Sequence, residues 1–368
     1  MSPQFHTLTI KDVRRETSDA VSISFDVPDD LKGAYRFLPG QYLTLRSEID
    51  GEDIRRSYSI CSAGAEDIRV AIKAVESGRF SSFANNGLEP GMDLQVMTPM
   101  GRFTLPERER ENEQDDAPVY AGFAAGSGIT PILSMIKTAL ASHAESRFFL
   151  FYGNRTAQSI LFKSQLDDLK DRFMGRLSVY HVLSGEDQDL PILSGRLDRE
   201  KIAAFLTSVL PASRIDHAFL CGPGTMTETA AKVLAEAGLP EGRIHTELFT
   251  PAEGAEPQRA GSVSKNNASK SNAPHEVTRV DMIMDGARQT ISLKPGETII
   301  DGAIREGVEA PFSCKGGMCC TCRARLVEGE ADMAVNYSLE PWEVEAGYIL
   351  TCQTRPISGH ILVDYDDV

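Results

Sequence analysis

The chain has 368 residues, 41% of them hydrophobic, with seven cysteines and a formal net charge of −15. That length exceeds one ordinary domain, and the apolar fraction suffices for two or three buried cores. The acidic balance disfavours nucleic acid and anionic membrane surfaces as partners. No apolar signal core stands in MSPQFHTLTIKD, and the longest apolar stretch, residues 119–129, is short and broken by glycines. The expectation is a cytoplasmic protein with no membrane span.

In the first stretch Val21, Ile23, Phe25 and Val27 alternate with polar residues, the period of a strand. Pro39-Gly40, Gly51 and Pro90-Gly91 punctuate the runs that follow. Short strands with such turns predict an antiparallel β-barrel over residues 1–110. Inside it, RRSYSI at 55–60 places Arg56, Tyr58 and Ser59 on a strand, where they are read as alternating and sharing one face. A guanidinium can pair with a diphosphate, a phenol ring can stack on a flat heterocycle, and a hydroxyl can bond a ring nitrogen. Taken alone, a mixed polar strand face accounts for these residues better.

A charged loop, ERERENEQDD at 107–116, marks a break. Over 117–250 the apolar runs 119–123, 147–152, 177–183 and 217–221 are each followed by a helical pattern. That alternation predicts an α/β doubly wound parallel sheet. AAGSGITP, with Gly126, Gly128, Thr130 and Pro131, follows the first of these strands and opens a helix. Glycines there allow close backbone approach, and the helix N-terminus offers N–H groups to a diphosphate. By itself such a turn is equally an ordinary βα connection.

Residues 251–276 are rich in Pro, Ala, Ser, Asn and Gly and contain no aromatic residue. Such a segment buries too little to offset its ordering, so it reads as a flexible linker. The last module, 277–368, reads as α+β and β-grasp-like, with a short helix near 298–305. It carries Cys314, Cys319, Cys322 and Cys352, the C-x4-C-x2-C pattern with a distant fourth cysteine. This is the plant-type [2Fe-2S] spacing, and four soft thiolates are the donor set such a cluster needs. Zinc and disulfides are the alternatives, but structural zinc ordinarily shows two short Cys pairs and only one stands here. Gly316 and Gly317 let the loop wrap closely, and Cys320, out of register, is read as a non-ligand.

RRSYSI, GRFS at 78–81, GSGITP and CGPG at 221–224, with FLPGQY upstream, follow the order of motifs in ferredoxin–NADP reductase-like flavoenzymes, which the chain resembles. The reductase-then-ferredoxin order is similar to that of the reductase subunits of phenylacetyl-CoA epoxidases. YGNRTAQSILF, CKGGMCCTC and NYSLEPWEVEAGYILTCQ resemble that group further. The resemblance implies FAD, a [2Fe-2S] cluster and NADPH or NADH as substrate. It implies that Arg56 holds the FAD diphosphate, Tyr58 stacks on the flavin, Ser59 reaches its N5 region, and Gly78 and Ser81 meet the FAD phosphates. Gly126 and Thr130 would approach the nicotinamide nucleotide diphosphate, with Cys221, Gly222 and Pro223 near the nicotinamide. Glu247 and Phe249, in HTELF, would close over the flavin.

Ser184 is followed by Gly185, where many NADP-specific relatives have Ser-Arg. Arg155 in YGNR could take the missing arginine's place, which favours NADPH over NADH. The implied function is an electron chain from NAD(P)H through FAD and [2Fe-2S] to the di-iron oxygenase component of a multisubunit complex, with the linker letting the ferredoxin module visit both. The same chain could serve another aromatic or steroid hydroxylase. A carrier or sensor without turnover is a third reading, which the two nucleotide-binding modules oppose.

Overall fold

In the computed structural model of the protein, the structure describes residues 4–64, 66–106, 117–250, 262–265 and 278–367. Two compact units result: one is built on the first two modules, and the other on the last module together with Phe5 and Arg55–Ser57.

The first unit begins with β1 (Phe5–Thr17), β2 (Ala20–Asp26), β3 (Tyr42–Ile49), β4 (Glu52–Ser59), β5 (Arg69–Lys73), helix α1 (Arg79–Gly87) and β6 (Asp93–Met97). The strands run in the order β4-β3-β6-β1-β2-β5. A bridge between Ile60 and Val70 brings the chain just after β4 against β5 and closes the expected barrel. Val21, Ile23 and Phe25 point inward, each at most 2% exposed. The alternate serines are also covered, because Arg69 lies over them and donates to Ser22 Oγ and Ser24 Oγ, both at 3.0 Å.

The same unit continues through β7 (Val119–Ala125), α2 (Ile129–Ser142), β8 (Arg147–Asn154), α3 (Lys163–Arg172), β9 (Leu177–Leu183), α4 (Arg199–Ser208), β10 (His217–Pro223), α5 (Gly224–Glu236) and β11 (Ile244–Thr250). The strands are parallel, in the order β11-β10-β7-β8-β9. From β7 the chain builds first to one side and then to the other, so the topological switch point lies between β7 and β10. Ligands of such sheets sit at the carboxyl ends of the strands there. Helix α2 joins this sheet to the barrel: Ser134 Oγ donates to the Ser62 carbonyl at 2.6 Å, and Lys137 pairs with Glu66 at 2.8 Å.

The second unit holds β12 (Ser262–Lys265), β13 (Thr278–Met284), β14 (Ala287–Leu293), α6 (Ile299–Arg305), β15 (Arg323–Met333), α7 (Pro341–Ala346), β16 (Tyr348–Leu350), β17 (Thr354–Pro356) and β18 (His360–Asp364). Its sheet runs β12-β15-β18-β13-β14, with β16 and β17 also on β15. Thr298 caps α6, its hydroxyl accepting from Asp301 N at 3.2 Å, and Ile299, Ile300 and Ala303 bury the inner face.

The linker reading needs one correction. Residues 262–265 are a strand paired antiparallel with Gly329–Asp332 of β15, and Val263 is 7% exposed. One buried apolar side chain and a ladder of backbone bonds outweigh the low-complexity composition there. The rest of 251–276 lies outside the described residues. Among the described residues no helix is long and apolar enough to cross a membrane.

Candidate functional site

At the switch point the loops after β7 and β10 press together. A Cβ at Gly128 would lie 2.1 Å from the Cys221 carbonyl oxygen, so only glycine fits. Gly126 has φ of +54° and Gly222 of +150°. Thr130 is 2% exposed and donates to the Ser127 carbonyl at 2.9 Å, so its hydroxyl braces the loop. Tyr152, which the sequence reading passed over, is fully buried and donates to the Gly126 carbonyl at 2.9 Å. Its place in YGNR was the available signal. Pro223 is exposed where α5 begins.

Three motifs far apart in sequence meet beside this loop. Ser59 Oγ donates to Glu247 Oε2 at 3.2 Å, and Cys221 Sγ lies 3.9 Å from the same oxygen. Part of Glu247 reaches solvent, yet its carboxyl is desolvated and its pKa is raised to about 8, against the hydrogen bonds from Ser59 and Cys221 that favour the charge. Burial, and then the neighbouring carboxylate, push the Cys221 thiol well up. Both shifts favour the neutral forms of this cluster.

The shared face expected for Arg56, Tyr58 and Ser59 is corrected. A strand alternates with a period of two, so Arg56 and Tyr58 share a side and Ser59 points to the other. Accordingly Ser59 is 4% exposed, while Tyr58 is half-buried with its ring 5.8 Å from that of Phe80. Arg56 is exposed, with Nη1 donating to the Arg55 carbonyl at 2.7 Å. Gly78 precedes α1, and Ser81 is buried with its hydroxyl donating to the Gly78 carbonyl at 3.1 Å and accepting from Val75 N at 3.2 Å. Phe249 is half-buried against the core of the parallel sheet.

After β8, Arg155 is exposed. Gly185 N donates to its carbonyl at 2.7 Å, and a Cβ at 185 would come within 3.0 Å of both its carbonyl oxygen and its Cγ. The absence of a side chain at 185 is thus what lets the β9 loop close against Arg155.

All seven cysteines are free thiols. The four spaced cysteines come together as two pairs. Cys314 accepts from the Cys319 thiol and from the N–H groups of Gly316, Met318 and Cys319, which outweigh burial and hold its pKa down to about 5. Cys352 is drawn down likewise by Cys322, and burial adds to the donor role in pushing Cys319 and Cys322 up. No three Cys, His, Asp or Glu side chains among the described residues close around a single ion. Two dithiol pairs are instead what a two-iron cluster asks, one pair for each iron, so the donor set fits [2Fe-2S]. Cys320 stands apart at φ of +53°, its thiol donating to Ser338 Oγ at 3.0 Å.

Comparison with known proteins agrees with this layout. The oxidoreductase FAD-binding domain family matches residues 7–105, the oxidoreductase NAD-binding domain 123–232, and the 2Fe-2S iron-sulfur cluster binding domain 282–356. Phthalate dioxygenase reductase, a structure for electron transfer from pyridine nucleotides to [2Fe-2S], shares the fold at a TM-score of 0.57 and 24% identity over 98% of each chain. The chain is an oxidoreductase with sites for FAD, NAD(P) and a [2Fe-2S] cluster. It is 43% identical to a component polypeptide of the 1,2-phenylacetyl-CoA epoxidase of Escherichia coli (strain K12), covering 98% of each chain. It is 32% identical to the 3-ketosteroid-9-alpha-monooxygenase ferredoxin reductase component of Rhodococcus rhodochrous, covering 97% of this chain and 96% of that one. The chain belongs to this family of oxygenase reductases with a fused ferredoxin domain.

Proposed function

We propose that the chain takes hydride from NADPH and delivers the electrons one at a time to the di-iron oxygenase component of a phenylacetyl-CoA epoxidase. The observation that carries the redox reading is the meeting of Ser59, Cys221 and Glu247 at the switch point, within one unit that also holds the paired loops of Gly128 and Gly222. The choice of acceptor rests on the 43% identical relative.

FAD held by residues 1–110 would supply the exchange between hydride and single-electron chemistry, and a cluster held by the four cysteines would supply one-electron transfer. The chain's own residues bind, orient and exclude water. Residues 1–110 hold FAD, with Tyr58 stacked on the ring, Arg56 on the diphosphate, and Gly78 with Ser81 shaping the phosphate end at α1. Ser59 presents its hydroxyl to the N5 region. Residues 117–250 hold the nucleotide: Gly126 gives its diphosphate close backbone approach, Thr130 and Tyr152 brace that loop, and Arg155 takes the 2′-phosphate. Cys221, Gly222 and Pro223 form the nicotinamide shelf, Glu247 keeps the pocket neutral for hydride passage, and Phe249 shields it. Residues 277–368 hold the cluster on Cys314, Cys319, Cys322 and Cys352.

That last module has 8 Lys+Arg against 15 Asp+Glu, a net charge of −7. An acidic carrier suits a basic acceptor surface. The test is anaerobic titration of the purified protein with NADPH and then NADH, followed by visible absorbance. Flavin and iron–sulfur bands that bleach at lower NADPH than NADH are expected. A protein that binds no flavin, or that neither nucleotide bleaches, would refute the proposal. The steroid-linked relatives favour a second acceptor, a 3-ketosteroid oxygenase, and coupled turnover with each oxygenase separates the two.

A further inference from the structure

Resting on that reading, we propose that Trp342 anchors the oxygenase to the ferredoxin module, its indole entering an apolar recess ringed by basic residues on the partner. Trp342 is the chain's single tryptophan and is 52% exposed. It stands on α7, inside the NYSLEPWEVEAGYILTCQ stretch, to which the electron chain assigns nothing but Cys352.

Helix α7 is fixed to the cysteine loop by two sets of contacts around its first turn. On one side Tyr337 N and Ser338 Oγ donate to the Gly317 carbonyl at 3.1 and 3.2 Å, and the Cys320 thiol donates to Ser338 Oγ at 3.0 Å. On the other, Glu343, 4% exposed, pairs at 2.9 Å with Arg323, 8% exposed, which directly follows Cys322. Glu340 and Glu343 close a capping box over the first turn. Glu343 turns inward, and its neighbour Trp342 is left outward. A rigid aromatic loses little conformational freedom on binding, and tryptophan is the side chain most enriched among residues that dominate interface energy.

The surroundings say what it meets. Residues 326–354 contain six acidic residues and no Lys or Arg. Arg323 already neutralises Glu343, while Glu328, Asp332, Glu340 and Glu345 are exposed. An indole flanked along its helix by the exposed Glu340 and Glu345 fits a basic protein surface with a hydrophobic recess. Single-electron transfer needs the acceptor close to the cluster, and this helix is bonded to the loop that holds it.

The experiment uses the full-length holoprotein. Trp342→Ala and Trp342→Phe are compared with wild type in two assays: NADPH-driven cytochrome c reduction, which reads the internal electron chain, and phenylacetyl-CoA-dependent NADPH oxidation with increasing oxygenase component. The Ala variant should raise the KM for oxygenase about tenfold or more, the Phe variant less, with cytochrome c reduction unchanged. In parallel, 5-fluorotryptophan labelling gives one 19F resonance, which should shift and lose its solvent-isotope effect when unlabelled oxygenase is added. An unchanged KM, a resonance that keeps its solvent-isotope effect, or an equal loss in both assays overturns the anchor role. A wild-type protein that turns over cytochrome c but couples to no oxygenase refutes the proposed acceptor, and the anchor role with it.

Discussion

Ser59 Oγ and Glu247 Oε2 lie 3.2 Å apart, so one hydrogen bond ties strand β4 of the barrel to β11 of the parallel sheet. Ser59→Ala removes the hydroxyl that we place at the flavin and leaves the Glu247 carboxyl short of a donor. Hydride transfer, read as flavin bleaching in stopped flow, should slow by roughly 10- to 100-fold, with the flavin content unchanged.

Glu247 also sets a pH dependence. Its folded pKa is raised to about 8 from an ordinary 4.5. Between those values the folded state holds a proton that the unfolded chain has lost. Stability therefore falls as pH rises from about 4.5 toward 8 and levels off above that. Glu247→Gln should flatten this slope and raise stability at pH 9 by about 1–2 kcal/mol, discounted for the residue's partial exposure. Thermal melts across pH check it, and a slope identical to wild type would count against a buried neutral carboxyl.

The cysteine set predicts an asymmetric response. Serine at Cys314, Cys319, Cys322 or Cys352 should abolish the iron–sulfur absorbance and leave the flavin bound. Cys320→Ser should keep both, since that thiol is turned to Ser338. Iron and labile sulfide assays distinguish these outcomes.

Gly128 is a steric test of the switch point. Gly128→Ala puts a methyl 2.1 Å from the Cys221 carbonyl oxygen, an atom of backbone that cannot swing away. The expected cost is about 1–3 kcal/mol or more, with a matching loss of nucleotide affinity. Chemical denaturation and NADP+ titration together measure it.

Arg155 is exposed, with Gly185 folded against it. Arg155→Ala should raise the KM for NADPH by about tenfold, one charged hydrogen bond's worth, and leave that for NADH nearly unchanged. Equal effects on both would move the 2′-phosphate contact elsewhere.

The fold was legible because its signals are local. Alternation at Val21–Ile23–Phe25, the βα turn at Gly126–Gly128 and the cysteine spacing each sit within a few residues. What escaped was set by long-range contact or by counting. Ser59 was put on the face of Tyr58, although adjacent strand residues point apart. Val263 looked like linker because its partner, Ala331 of β15, lies 68 positions away. Tyr152 reads as a core aromatic until its hydroxyl is seen on the Gly126 carbonyl. The Arg323–Glu343 pair, between a strand start and a helix, has no sequence signature.

The place of β18 has a consequence for biosynthesis. His360–Asp364 lies between β13 and β15, parallel to the first and antiparallel to the second, and the buried Tyr365 donates to Thr351 Oγ1 at 2.9 Å, one residue before Cys352. The middle strand of this sheet is thus made after all its neighbours. While a ribosome is still adding residues up to 365, β13 and β15 have nothing between them, and the Cys352 strand end is unsupported. The support of the Cys352 strand end is thus completed only after translation has passed that point, whereas the described strands of residues 6–250 are made more than a hundred codons earlier.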